Sequence, residues 1–174
     1  MTLTMGTGPF GHEPAGRFNV DLEPGDIAYV EPSPRRVRAV LGGETVLDST
    51  RAMMLHRHAH PARYCFPRED RRWDLLEGLD PVLPPSGVPD LADHVTFAWA
   101  DKGLASYRSY AAGGAAGENL AWFYPEPLEN AARVVDYIAF FDERVDLDVD
   151  GERRSRPRTP WGAPGWWRTP PPEV

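Results

Sequence analysis

The sequence holds a single cysteine, Cys65. An internal disulfide framework and a multi-cysteine zinc ribbon are therefore excluded. Lysine is as scarce: of 19 basic residues only Lys102 is a lysine. Basic charge is also in deficit, with a formal net charge of −7 and a pI of about 5.2. A nucleic-acid binder normally needs the opposite balance to displace phosphate counterions. No stretch approaches the ~20 apolar residues of a membrane-spanning helix, and the longest compact apolar run is 137–141. Residues 1–16 lack both the basic start and the apolar centre of a secretory signal. The expectation is a soluble cytoplasmic protein that engages neither nucleic acid nor membrane. Its oligomeric state stays open.

What is present is turn-forming. The 174 residues include 19 prolines and 16 glycines, which break helices and favour short strands. A chain of this length can bury roughly 68–70% of its unfolded surface, enough for one domain with a core. Residues 1–25, rich in Gly, Pro and Thr, read as a mobile arm with a short strand at 18–22. Residues 26–151 form the domain, and 152–174 a Pro-, Arg- and Trp-rich tail docked on it.

Inside the domain, residues 36–41 alternate at strand period, Gly42-Gly43 follows, and 45–49 form a second short run. That is a hairpin with a turn tolerant of positive φ. Residues 52–56 are a strand or a helical turn, and 63–66 a strand ended by Pro67. Residues 79–93 form a long proline-bearing loop, of a length that is often functional. Strands are expected at 94–99, 104–110, 119–124, 137–141 and around Val145, Leu147 and Val149, with a small-residue loop at 111–117. Leu128, Ala131, Ala132 and Val135 are spaced for one short helix at 128–136. The fold class is mainly β, α+β only through that helix.

Several segments resemble a bacterial family, DUF427. They are Pro34-Arg35-Arg36-Val37-Arg38, Asp48-Ser49, Tyr64 with Pro67 and Asp70, Lys102-Gly103 with Tyr107, Ala121-Trp122-Phe123-Tyr124-Pro125-Glu126-Pro127 and Ile138-Ala139-Phe140-Phe141. They run in the family's order over about residues 31–151. The resemblance implies a compact antiparallel two-sheet, β-tent-like domain. It also carries a nucleotidyltransferase label, but no settled reaction. Three positions depart from the pattern: Trp99 where a cysteine is frequent, a histidine run at 56–60 where a glutamate is frequent, and Cys65 where a second tyrosine is usual. These departures imply a specialised site.

Four constellations can carry chemistry. Lys102, followed by Gly103, becomes a base or an imine-forming amine in an apolar or cationic pocket; in water it is a solvated turn residue. Trp122 and Tyr124 share a strand face and can wall a concave site with Tyr107 and Tyr64, or simply pack. Arg36, Arg38, Asp48 and Arg51 can form an anion clamp, or a solvated ladder of ion pairs worth little. His56, His58 and His60 alternate on one strand face, about 6.6 Å apart, and two could converge on a metal; solvated histidines are the plainer reading, so no metal is favoured. The nucleotidyltransferase label would need paired carboxylates for Mg²⁺, and no convincing pair or Gly-rich phosphate loop is present.

The expected function is therefore a small-molecule enzyme acting on a small polar or anionic substrate. Lys102, Tyr107 and Asp48 would be catalytic; Arg38, Arg51, Tyr64, Trp122 and Tyr124 would bind substrate. No cofactor is implied. A non-catalytic binding domain, with the same aromatic residues, is the alternative from another class. A nucleotidyltransferase-like or histidine–metal activity is a further one.

Overall fold

The computed structural model describes residues 7–9, 13, 15–16, 28–57, 61–72, 106–124, 133–159 and 162–163. Ten strands occur among them: β1 (Ala28–Pro32), β2 (Val37–Leu41), β3 (Glu44–Ser49), β4 (Met53–Arg57), β5 (Arg63–Pro67), β6 (Ser106–Ala112), β7 (Ala115–Phe123), β8 (Tyr137–Phe140), β9 (Asp146–Val149) and β10 (Glu152–Arg153). They form two antiparallel sheets. The larger has the order β1-β4-β5-β8-β7-β6 and the smaller β10-β9-β2-β3. This is the mainly β domain that the sequence pattern predicts, in the antiparallel two-sheet form that the family resemblance implies. No helix among the described residues is long and apolar enough to cross a membrane.

The two sheets differ in how their faces are used. In the smaller sheet, Val37, Ala39, Leu47, Leu147 and Val149 point into the core, and the alternate positions carry Arg38, Asp48, Asp146 and Asp148 outward. That is the in–out period of a half-buried strand. The larger sheet is apolar on both faces. Tyr64, Phe66, Tyr110, Phe123, Ile138 and Phe140 meet the smaller sheet. Cys65, Tyr107, Trp122, Tyr124 and Ala139 form a second cluster on the other side with Leu55, Val134 and Phe141. All five residues of β5 are therefore buried, and β8 reads as an unbroken apolar run.

Several expectations are corrected. The small-residue stretch 111–117 is not a loop: β6 runs through to Ala112 and β7 starts at Ala115. Gly113 and Gly114, at φ +55° and +75°, make a two-residue turn of the kind that matches strand twist. The residues are small because another turn lies against them. A Cβ on Gly113 would collide with the Gly42 carbonyl, and one on Gly42 with the Ala112 carbonyl. The strand option, not the helical turn, holds at 52–56, because β4 is paired on both sides, by β1 and β5. Strands β1 and β10 lack a sequence signal: the first carries Glu31 and Pro32, the second is two exposed charged residues. Most of the helix expected at 128–136 lies outside the described residues, and its end, 133–134, is 3-10 turn. The strands expected at 18–22 and 94–99 also lie outside them.

Candidate functional site

The two sheets part at one edge, and a cleft of about 570 Å³ opens there. That volume falls within the ~300–1,000 Å³ of small-molecule sites. Tyr64 from β5, Met54 from β4 and Val149 from β9 form its apolar floor, with Pro32 and Pro34 beside them. Tyr64 faces inward because it shares strand parity with Phe66, on which it stacks at 6.2 Å and 27°. The rim is charged: Arg35, Arg153 and Arg154 against Glu31 and Glu152.

Local structure decides which rim charges are available. Asp150 and Gly151, at φ +53° and +87°, turn the chain from β9 into β10. Arg153 is then tied to Asp148 and Asp146, each at 2.5 Å. Arg35 approaches Asp150 loosely, at 3.8 Å. Glu31 is engaged by His56 at 3.1 Å. Arg154 differs. Its amide donates to the Leu147 carbonyl at 2.8 Å, and its guanidinium carbon lies 5.8 Å from the centre of the Tyr64 ring. It has no carboxylate partner among the described residues. The cleft thus presents an aromatic face with an uncommitted planar cation above it.

A family model described as a domain of unknown function (DUF427) matches residues 29–151. The chain belongs to the DUF427 family. No curated protein matches it. The DUF427 match starts in β1 and ends at the β9–β10 turn, so the floor of the cleft lies inside it and Arg153 and Arg154 lie just beyond.

Within this DUF427 domain the sequence-derived candidates fall in three places. Tyr107, Trp122 and Tyr124 do come together, on the outward face of the larger sheet. Trp122 and Tyr124 meet edge-on at 5.5 Å and 70°, Tyr107 stacks on Phe141 at 6.3 Å, and the Arg57 guanidinium sits 5.9 Å from the Trp122 ring. Burial, with Tyr124 nearby, raises the Tyr107 phenol well above its ordinary value, so it stays protonated. Tyr64 does not join them, since it belongs to the inward face and the cleft. Lys102 lies outside the described residues.

Asp48, Arg38 and Arg51 lie on neither site. Asp48 accepts two hydrogen bonds from Arg36, at 2.8 and 2.5 Å, although its strand partner is Arg38. Arg38 instead faces Asp148 at 3.6 Å. The Arg36 hydrogen bond holds the Asp48 carboxyl below its ordinary range, against a smaller opposing effect of desolvation. Arg51 pairs with Asp70 and with Glu69. Each arginine of the supposed clamp therefore has a carboxylate, and the ladder is the arrangement present. His56 is buried against Glu31 and the Tyr29 ring; His58 and His60 lie outside the described residues. Among the described residues no group of three His, Cys, Asp or Glu side chains could hold a metal ion. Burial pushes the Cys65 thiol up to about 12, which leaves it unreactive.

Sequence reasoning did not find Arg154. Its one signal is the Asp150-Gly151 turn signature, which returns the arginine-rich segment after it along β9.

Proposed function

We propose that this DUF427 domain binds a small planar molecule bearing one acidic group, in the cleft between the sheets. The observation that carries the reading is Arg154, held over Tyr64 without a carboxylate partner among the described residues. A ring laid on Tyr64 beneath Arg154 needs about 7 Å between them, twice the ~3.5 Å of van der Waals contact. The 5.8 Å spacing requires an outward shift of an exposed side chain, which is inexpensive. The acidic group would then take the guanidinium fork of Arg154 or Arg35, whose geometry suits a carboxylate. Glu31 and Glu152 keep the rim mixed in charge, so a monoanion is favoured over a polyanion.

The test is a titration of the purified protein with a panel of aromatic monocarboxylates, read by calorimetry. Arg154→Ala is expected to weaken the tightest binder about tenfold, the loss of roughly 1.4 kcal/mol. Tyr64→Ala should weaken it similarly and Tyr64→Phe little. Unchanged affinity in both alanine variants would overturn the reading. An enzyme built on this domain would also convert its ligand. Mass spectrometry of the ligand after incubation, with wild type and Lys102→Ala, separates turnover from binding.

A further inference from the structure

A second cationic feature lies on the other side of the fold, where the chain leaves β5 and crosses to β3. Residues 68–70 form a single 3-10 turn. The next residues run beside the edge of the smaller sheet: Arg71 bridges Leu47, and the Arg72 amide donates to the Val46 carbonyl at 3.0 Å. This crossing brings Arg68 and Arg71 to the inward face of β6 and β7. There the Arg68 guanidinium carbon lies 4.2 Å from the centre of the Phe123 ring, and that of Arg108 lies 4.8 Å from it.

Two guanidiniums on one ring, with that of Arg71 near enough to be felt by both, repel each other. Arg71 is 5% exposed. Burial first pushes both Arg71 and Arg108 below their ordinary value; the neighbouring guanidiniums add to that and Tyr110 opposes it. Among the described residues neither Arg68 nor Arg108 has a carboxylate partner. The cluster also contains a phenol, because Tyr110 is fully buried and its hydroxyl finds no hydrogen-bond partner among the described residues. The Arg68–Arg108 pair, with an idle buried donor beside it, is the arrangement expected of a site whose counter-ion is a ligand.

We propose that Arg68, Arg108 and the Tyr110 hydroxyl form a binding site for the phosphate group of a small molecule. A tetrahedral dianion offers three terminal oxygens and can accept from several guanidinium forks at once, where a carboxylate offers two. The site is separate from the cleft under Arg154: it sits at the β3 and β7 side, the cleft at the β10 and β1 side.

The experiment titrates the full-length protein with inorganic phosphate, at ionic strength held constant with chloride, by calorimetry. Wild type, Arg68→Gln, Arg108→Gln and Arg154→Gln are compared. Phosphate should bind wild type and Arg154→Gln alike, and bind Arg68→Gln and Arg108→Gln at least tenfold more weakly. In phosphate-free chloride the two glutamine variants should melt no lower than wild type, since each removes a repulsion. Affinity unchanged in both variants would overturn the proposal. So would acetate binding as tightly as phosphate, or an equal loss of melting temperature with and without phosphate, which marks a structural role. If the glutamine variants do not fold, the Nε–H resonances of Arg68 and Arg108 in wild type decide: both must shift with phosphate and not with chloride.

Discussion

Glu143 is buried at 7% exposure, and two side chains meet it. Arg63 donates two hydrogen bonds to its carboxylate and Thr159 a third. Burial alone would raise its pKa, but the bonds from Arg63 prevail and hold it below the ordinary 4.5. Its contribution to stability is therefore complete above about pH 4.5 and is lost as pH falls through the lower folded value. Chemical denaturation from pH 6 to 3 should show wild type losing stability faster than Glu143→Gln; parallel curves would mean this carboxyl does not titrate with folding. Arg63→Ala is more severe. It strands the buried carboxylate of Glu143 and the nearby Asp142, and should cost about 3–5 kcal/mol. Asp48→Asn is the contrast, since its partner Arg36 is exposed. Melting temperature and ligand affinity should both stay close to wild type, and a lost affinity would place Asp48 in a binding site after all.

At the scale of elements, the two diglycine turns separate conformational strain from collision. Gly113 and Gly114 both sit at positive φ, but only Gly113 faces another backbone. Gly114→Ala should cost about 1 kcal/mol, the ordinary penalty of a left-handed alanine. Gly113→Ala should cost clearly more, because the turns must move apart. Equal losses in urea denaturation would show the contact to be soft. The same turns mark what a sequence can and cannot disclose. Gly42-Gly43 was legible because branched and apolar residues flank it. Gly113-Gly114 was not, because alanines and glycine flank it, and small residues carry no period. Strands β2, β3, β5, β8 and β9 were legible from alternation or from an unbroken apolar run. Strand β1 exists only because β4 offers it a paired edge, a tertiary cause that no local pattern records.

For the whole molecule, the same reasoning explains why the candidate sites were read only in part. Trp122 and Tyr124 could be grouped from strand parity; Tyr107, on another strand, joined them only through the family resemblance. The cleft joins Tyr64 to Arg154 across the gap between sheets, and the second cluster joins Arg68 to Arg108 through Phe123. Such meetings depend on strand order, which spacing does not encode. The order also distributes motion. Gly42 and Gly113 touch through backbone atoms, and the Glu44 carboxylate accepts from the Gly113 amide at 3.1 Å, at the far end of β2 from the cleft residues Arg35 and Val149. Backbone in direct contact has no rotamers through which to loosen, and the Glu44 hydrogen bond adds to it, so this end holds the sheets like the spine of a book. Opening is then confined to the other end, where Arg154 lies over Tyr64. Amide exchange should be slowest beside the two diglycine turns and quicken toward residues 149–154, and a ligand seated in the cleft should slow only that free margin.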